Sequence, residues 1–274
     1  MKRARGFSLV ELVVVIVVLG ILSGSVALFI DNPVRAYFDA QRRTALSGAA
    51  DTALRRMARE LQGALPNSVR VASAGSTVWL EFVPVADSGR YRTAVSAGAE
   101  PAGLDPLDFS NAADTGFQIL GRPVTVPAAA QLVIFNLGAG SMDVYGGGNR
   151  RSVTSATGVA TSIAFAPAGA WPAASPTSRF HLVTGPASFG CAPAADGSGV
   201  LTRYDGYAFM GAQPTSNAQL AGARRTVLVD GVVNCEFALD ALLANANSVT
   251  INLVLGDATE SVRLFHQVHL PNTP

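Results

Sequence analysis

Charge is scarce in this chain and is almost evenly balanced. Only 14% of the 274 residues are charged, and 20 basic against 19 acidic residues leave a formal net charge of +1. Nucleic-acid-binding domains carry a clear excess of Lys and Arg clustered on one surface. We therefore expect no nucleic-acid partner. With 49% hydrophobic residues, the composition is that of a folded protein with an apolar segment, and it excludes a disordered chain.

Histidine and cysteine are also rare, which limits metal and thiol chemistry. The chain has three histidines, His181, His266 and His269, and two cysteines, Cys191 and Cys235. His266 and His269 lie in a segment with strand character, where residues three apart point to opposite faces and cannot close on one ion. The Gly-x-Ser-x-Gly and His-Glu-x-x-His motifs are missing. The sequence thus predicts no enzyme, no catalytic or metal-binding residue and no cofactor.

One long hydrophobic run stands near the N-terminus. Residues 12–30 carry no charge, and the basic residues Lys2, Arg3 and Arg5 precede them. A helix of this length rises about 28 Å, which is close to the ~30 Å hydrocarbon core of a bilayer. Basic residues before the run favour a cytoplasmic N-terminus, so we expect the rest of the chain on the opposite side of the membrane.

A single carboxylate, Glu11, stands directly before this run. An acidic side chain near the centre of a bilayer costs about 2.5–3.5 kcal/mol, so it usually marks a functional contact. A cleaved secretory signal has a shorter apolar region followed by a small-residue cleavage site. A plain signal anchor fits the length of the run better. Neither of these two interpretations explains why a carboxylate stands at position 11.

The residues around Glu11 form a recognisable string. Between the basic leader and the apolar run stands Gly6-Phe7-Ser8-Leu9-Val10-Glu11. This arrangement resembles the class III (prepilin) signal of type IV pilins and pseudopilins, in which a membrane peptidase cleaves after the glycine and N-methylates the new first residue. The resemblance implies that residues 1–6 are a leader, that cleavage falls between Gly6 and Phe7, and that Phe7 is methylated.

In that family the retained glutamate takes part in assembly. Cleavage creates an α-amine at Phe7, and such an amine has a pKa of about 7.7–8.0 and carries a positive charge. The resemblance implies that Glu11 faces the amine of a neighbouring helix and so sets the register of a filament, because pairing offsets much of the cost of burying its charge. The alternative is a glutamate at the membrane edge with no partner.

Beyond the apolar run the chain changes character. Pro33 predicts a kink or break in the helix, because proline removes a hydrogen bond and disfavours helix in the preceding residue. Residues 34–65 then predict an amphipathic helix that packs on a sheet, from apolar residues spaced by three or four: Leu46, Ala50, Leu54, Met57, Leu61 and Leu65. We divide the chain into a leader (1–6), a transmembrane and assembly helix (7–30), an amphipathic helix continuing into the head (31–66) and a β-rich head (67–274).

The head reads as short strands separated by long Gly-, Ala-, Ser- and Pro-rich loops. The strongest strand candidates are 77–83, 131–136, 179–184, 200–204, 224–229, 249–255 and 261–270. Weaker candidates are 117–120, 162–165 and 235–239, and we expect loops over 84–116 and 138–160. The predicted fold class is α+β: a long N-terminal helix, membrane-spanning in one half and amphipathic in the other, packed on a β-rich globular head as in pilins.

Whether the two cysteines form a disulfide depends on the compartment in which the head lies. On the far side of the membrane we expect Cys191 and Cys235 to form one disulfide, because that environment is oxidising. Closing a loop of about 45 residues would stabilise the fold by roughly 4 kcal/mol. The alternative is two unrelated buried thiols.

Segments scattered over the head extend the family resemblance. Residues 50–61, 65–70, 180–186 and 264–270 resemble the minor pilin-like biogenesis proteins of mannose-sensitive haemagglutinin (MSHA) pilus systems. The turn at residues 229–232, before Cys235, also resembles the larger minor pseudopilins of type II secretion systems. The resemblance therefore implies a minor structural subunit for the assembly, initiation or tip of a type IV pilus, with a secretion pseudopilin as the alternative. A signal-anchored periplasmic binding domain or enzyme is the second alternative.

The implied partners and location follow from the family. The chain would be a substrate of the prepilin peptidase/N-methyltransferase, and its N-terminal helix would contact other major and minor pilins. Before assembly it would cross the inner membrane once, with its N-terminus in the cytoplasm and its head in the periplasm. Afterwards it would belong to a pilus or pseudopilus of a Gram-negative bacterium.

Overall fold

The computed structural model describes residues 6, 8–93, 105–239, 248–256 and 260–270, and their side chains except those of 27–32. By internal contacts the chain divides into two compact units, Met1–Gly48 and Ala49–Pro274. The described elements are a single α-helix, a short 3-10 helix and fifteen strands. The helix, α1, extends from Leu9 to Gln62, and the 3-10 helix covers Gly140–Met142.

Helix α1 continues through Pro33, so the predicted break at this proline is wrong, whereas the alternative, a kink, stays a prediction. Proline inside a helix costs about 3 kcal/mol because it lacks an N–H donor and crowds the preceding turn. That penalty falls on one position of a 54-residue helix. Once a helix is nucleated, each added residue contributes its own hydrogen bond, so the turns on both sides can outweigh one missing bond.

The strands follow the helix in chain order. They are β1 (Arg70–Ala74), β2 (Thr77–Phe82), β3 (Val85–Tyr91), β4 (Gly116–Leu120), β5 (Val124–Val126), β6 (Gln131–Ile134), β7 (Arg150–Ser152), β8 (Gly158–Ala160), β9 (Ser162–Ala164), β10 (Arg179–Val183), β11 (Ala187–Ala192), β12 (Gly199–Asp205), β13 (Arg224–Leu239), β14 (Ser248–Gly256) and β15 (Ser261–His269). All ten predicted strand segments are confirmed, and the segments at 224–229 and 235–239 are joined in β13.

These strands form three antiparallel sheets. The largest has seven strands in the order β1-β2-β11-β12-β13-β14-β15, the second has six in the order β7-β6-β10-β3-β4-β9, and β5 pairs with β8. Strands β2 and β11 are hydrogen-bonded neighbours, with Cys191 opposite Val78. All of β3–β10 lies between them in sequence. The second and third sheets are therefore an insertion between two adjacent strands of the first.

This insertion overturns the predicted fold class. The protein is mostly β, with 40% strand and 22% helix, and its head is larger than that of a typical pilin. The α+β prediction is wrong because several strands were read as loops, including β3 and β7. Strand β11 shows the physical reason. Its sequence, Ala-Ser-Phe-Gly-Cys-Ala, has low intrinsic strand preference, but hydrogen bonds to β2 and β12 hold it in the sheet from both sides.

One core lies between α1 and the seven-stranded sheet. The predicted apolar stripe is confirmed from Ala50 onward, where its members are at most 3% exposed: Ala50, Leu54, Met57, Leu61 and, just beyond the helix end, Leu65. Its first member, Leu46, is only partly buried. On this inner face of the sheet, the rings of Phe82 and Phe189 stack with centroids 5.4 Å apart. Arg203 of β12 donates a hydrogen bond from Nε to Glu60 of α1 at 2.6 Å. This contact fixes the last turns of the helix against the sheet.

A second core belongs to the insertion. Its centre is an aromatic cluster in which Phe117 contacts Tyr91, Phe165 and Phe180, with ring centroids 5.1–6.3 Å apart. Aromatic pairs at this spacing contribute about 0.5–1.5 kcal/mol each beyond the area they bury. The insertion thus has its own hydrophobic core.

Candidate functional site

The start of helix α1 is held by a local cap. Ser8 precedes the first helical residue, Leu9, and its Oγ accepts a hydrogen bond from the backbone N–H of Glu11 at 3.2 Å. This is one half of a capping box, in which Ser stands at the N-cap and Glu three residues later. The sequence prediction missed this role of Ser8, although the Ser-x-x-Glu spacing is its signature. Phe7 lies outside the described residues.

Glu11 occupies the first turn of α1 and its side chain is exposed. A carboxylate near a helix N-terminus is stabilised by the helix dipole by about 0.3–1 kcal/mol. Gly6 is exposed as well, and a Cβ placed on it would meet no atom of the described residues beyond its chain neighbours within 4 Å. Among the described residues, Gly6 is therefore free of steric contacts, and Glu11 provides an accessible negative charge five residues further along the chain.

The helix that follows presents apolar side chains around its whole circumference. The segment Leu9–Val26 has a mean hydropathy of 2.7, and none of it is buried within the protein. At 1.5 Å per residue its 18 residues span about 27 Å, enough to cross a bilayer. A continuous exposed apolar surface of this size marks contact with a membrane or with other proteins.

This segment matches a family model. Residues 1–27 match the model described as the prokaryotic N-terminal methylation motif. The match supports a type IV pilin-like class III signal and, with it, processing by a prepilin peptidase. It supports a pilin-like or pseudopilin subunit with a structural role, and with the apolar helix it indicates a membrane-anchored protein. Comparison of the chain with curated proteins and with solved structures found no match.

Cys191 and Cys235 are joined by a disulfide in the structure, with their Cα atoms 6.5 Å apart. Cys191 is on β11 and Cys235 is on β13, and both residues are buried. The two strands are not adjacent, because β12 lies between them in the sheet. The bond therefore connects strands that backbone hydrogen bonds do not join directly.

The three histidines lie on strands of the head. His266 and His269 are both on β15, as their sequence context predicts, and His266 is half-buried whereas His269 is exposed. His181 is on β10, where burial, helped by the nearby Arg179, lowers its pKa to about 4. Neither ring nitrogen of His181 has a hydrogen-bond partner. Within the described ranges, no three His, Cys, Asp or Glu side chains are grouped so that they could hold a metal ion.

A buried polar network lies on the other face of the seven-stranded sheet. Glu81 is fully buried on β2, pairs with Arg70 of β1, and accepts a hydrogen bond from Tyr207 Oη at 2.9 Å. Burial raises the pKa of Glu81, although the bonds to Arg70 and Tyr207 oppose this effect. Tyr207 Oη also lies 2.6 Å from Ser188 Oγ. The sequence prediction missed this network, whose signal is a glutamate inside the apolar strand Thr77–Phe82.

The network fastens a loop to the sheet. We call residues 206–223, which follow β12, the covering loop. Arg70 donates hydrogen bonds to the backbone oxygens of Met210 and Gly211 at 2.8 and 2.7 Å, and Gln213 donates to the backbone oxygen of Trp79 at 3.1 Å. Burying an ion pair is favourable only when additional hydrogen bonds satisfy its remaining groups. These contacts do so, and they hold the covering loop over the outer face of the sheet.

Proposed function

We propose that this protein is a minor pilin-like structural subunit, cleaved between Gly6 and Phe7 and N-methylated at Phe7. One combination of features carries the proposal. The methylation motif at residues 1–27 overlaps an apolar helix segment that is exposed over its whole length and contains a single carboxylate. The chemistry belongs to the processing peptidase, while this protein is first its substrate and then a building block.

Glu11 sets the register of the assembly in this proposal. Cleavage produces the positive amine of Phe7, and the carboxylate of Glu11 in one subunit pairs with that amine in the next. An unpaired charge moved into low dielectric is strongly unfavourable, so only the register that pairs the two groups is stable. The exposure of Glu11 and the cap at Ser8 support this role, because the first helical turn is ordered and its charge is accessible.

The filament we propose is a pilus of the MSHA type, in which this chain takes the place of the O component. The insertion of β3–β10 into the main sheet supports a position at the tip or in initiation. It enlarges the head on a single helix, and many copies of such a head would be hard to pack side by side along a shaft. Before assembly the protein crosses the inner membrane of a Gram-negative bacterium once, with its head in the periplasm.

N-terminal sequencing and mass spectrometry of the membrane-extracted protein test the processing step. We expect a mature chain that starts at Phe7 and carries one methyl group, formed only when a prepilin peptidase is co-expressed. The variant Gly6→Leu is the matched control, because position 6 has open space around it and the change should block cleavage without affecting the fold. A mature start at Met1, or at any residue other than Phe7, contradicts the proposal.

The choice between pilus and secretion pseudopilus is tested by deleting the gene in its own bacterium. We expect loss of surface pili with unchanged release of secreted enzymes. The opposite pattern, normal pili with enzymes retained in the periplasm, would assign the chain to a type II secretion system and leave the processing result intact.

A further inference from the structure

The seven-stranded sheet ends in a long strand with an open edge. Among the described residues, β15 is hydrogen-bonded to β14 alone and forms the last strand of the sheet. An edge strand presents a row of unpaired backbone N–H and C=O groups, with which another chain can pair. This edge belongs wholly to the head, so it concerns a property separate from the proposed assembly through the N-terminal helix.

The other edges of the two large sheets are short. On the far side of the seven-stranded sheet β1 has five residues, and the six-stranded sheet ends in β7 and β9, which have three residues each. Strand β15 has nine residues, contains no proline, and pairs with β14 without a bulge or register shift. Natural proteins protect sheet edges by keeping them short or by placing prolines and bulges there. Strand β15 has none of these three protections.

An apolar layer of the sheet continues to this edge and is incompletely covered there. Leu264 stands opposite Leu253 of β14, which in turn stands opposite Cys235 of β13, so all three lie on the face of the sheet that carries the disulfide. Leu253 is 1% exposed, whereas Val262 and Leu264, one strand further out, are only partly buried. Within the described part of the chain, no further strand covers these two side chains. An added strand would remove their apolar surface from water.

The opposite face of β15 carries an exposed aromatic ring and a positive charge. Phe265 is 67% exposed. Arg263 is exposed as well, and it stands opposite the apolar Val254 of β14. None of the ion pairs among the described residues includes Arg263. Residues 261–270 contain neither aspartate nor glutamate, so the charge of this edge is positive.

We propose that β15 is the docking edge for an extended, acidic segment of another protein, which adds to the seven-stranded sheet as a further strand. Backbone hydrogen bonds between the segment and β15 supply the affinity, as in other cases of strand addition. Successive side chains of a strand alternate between the two faces of the sheet. The segment therefore carries apolar residues beside Val262 and Leu264. On the other face it carries a carboxylate beside Arg263 and an aromatic or apolar residue beside Phe265.

The charge of the edge favours a partner of different sequence over a second copy of this chain. None of the four edge strands of the two large sheets, β1, β7, β9 and β15, contains aspartate or glutamate. Pairing β15 with any of them in a second molecule would leave Arg263 without a counter-charge, and β7 would add two further arginines. Opposite charges on neighbouring strands are favourable, and like charges are unfavourable.

Two peptides with the same apolar positions test the proposal on the full-length protein in detergent micelles. The acidic peptide is acetyl-Val-Glu-Val-Tyr-Val-Glu-Val-amide, and in the basic peptide lysine replaces both glutamates. Each sequence reads the same in both directions, so the test holds for parallel and for antiparallel addition. We expect the acidic peptide to slow amide hydrogen exchange in β15 by roughly tenfold or more. Exchange in β1, the opposite edge of the sheet, should not change. The basic peptide should bind more weakly by roughly threefold or more.

Reversing the charge of the edge gives the sharpest control. Arg263→Glu should weaken binding of the acidic peptide by roughly threefold or more and strengthen binding of the basic peptide, because the preferred charge is inverted. Arg225→Glu makes the same change at an exposed position of β13, which is not an edge strand, and should leave both affinities unchanged. Phe265→Thr removes the exposed ring and should weaken binding of the acidic peptide severalfold. Arg263 and Phe265 are both exposed, so these variants should fold.

The melting temperature of each variant is measured in parallel, so that loss of binding is distinguished from unfolding. The proposal is overturned if the acidic peptide does not protect β15 at about 1 mM, a concentration that detects even a millimolar Kd, or if it protects β1 equally. Equal protection by the two peptides, or an unchanged preference in Arg263→Glu, would refute the acidic character of the partner. Protection of β15 that rises with protein concentration in the absence of peptide would show that a second copy occupies the edge, which contradicts the proposal.

Discussion

The two ends of helix α1 are both rich in apolar residues, but their surroundings are opposite. In Leu9–Val26 every large hydrophobic side chain is at least 45% exposed, whereas Leu54, Met57 and Leu61 near the other end are at most 3% exposed. The first segment is apolar on all sides, and the second only along one stripe. A stripe can be covered by a sheet of the same chain. A helix segment that is apolar on all sides apart from Glu11 exposes a surface that marks contact with a membrane or with other proteins.

The largest expected effect comes from removing the charge of Glu11, which lies in the exposed segment Leu9–Val26. Glu11→Gln should be cleaved and methylated normally but should be absent from filaments, because the neutral side chain cannot pair with the amine of Phe7. We expect the variant to accumulate in the inner membrane and to be undetectable by immunoblot in sheared filaments.

Ser8→Ala is the matched control for Glu11→Gln. It removes the helix cap, which contributes about 1 kcal/mol, but it leaves the charge in place, so the variant should still enter filaments. Normal incorporation of Glu11→Gln would refute the register role. Exclusion of both variants would show that order in the first turn, and not charge, is what assembly requires.

Removal of the disulfide should lower the stability of the head and leave the exposed helix segment Leu9–Val26 unaffected. Replacing Cys191 and Cys235 by alanine opens a loop whose ends are 44 residues apart, which corresponds to about 4 kcal/mol of stability by loop entropy. Urea unfolding of the full-length protein in micelles measures this loss. Membrane insertion and cleavage after Gly6 should be unchanged. A stability loss under 1 kcal/mol would mean that the neighbouring strands already hold β11 and β13 together.

The same substitution at the two ends of α1 should have different consequences. Leu61→Ala removes a fully buried side chain and should destabilise the head by about 3 kcal/mol, since Leu→Ala changes in cores cost 2–5 kcal/mol. Leu19→Ala changes a side chain that is 56% exposed. It should leave the free energy of unfolding of the head unchanged. Thermal or urea unfolding compares the two. Equal effects would contradict the division of the helix into an exposed segment, Leu9–Val26, and a segment buried against the sheet, which contains Leu61.

A smaller effect is expected from pH, and only in the head. The pKa of His181 is about 4 in the folded protein against about 6.5 when unfolded, so the unfolded state takes up the proton first. Stability should therefore be constant above pH 6.5 and fall as the pH decreases towards 4. The expected loss between pH 7 and pH 5 is about 2 kcal/mol.

The variant His181→Leu isolates this contribution. It removes the titrating group, and both ring nitrogens are unpartnered, so stability should fall less between pH 7 and pH 5 than in the unchanged protein. Glu81 acts in the opposite direction, because its raised pKa makes the folded state take up a proton more readily than the unfolded state as pH falls. An identical pH profile for the variant and the unchanged protein would exclude His181 as the source.

Local pattern was sufficient for the helix stripe and for the strands that are rich in branched and aromatic residues. The spacing from Ala50 to Leu61 predicts which side chains are buried, because helical periodicity alone places them on one face. It was insufficient for β11, whose small residues have little strand preference. It was also insufficient for Pro33, where a local penalty was outweighed by the length of the helix.

The sequence by itself determined the N-terminal segment: a glycine, one carboxylate five residues later, and an apolar run of membrane length. These are local properties, since charge and hydropathy act without reference to the rest of the chain. Tertiary structure decided what the head is. Only pairing between β2 and β11 makes β3–β10 an insertion, and only the covering loop and the sheet together bring Arg70, Glu81 and Tyr207 into one buried network. Such contacts join residues far apart in sequence, and no local pattern encodes them.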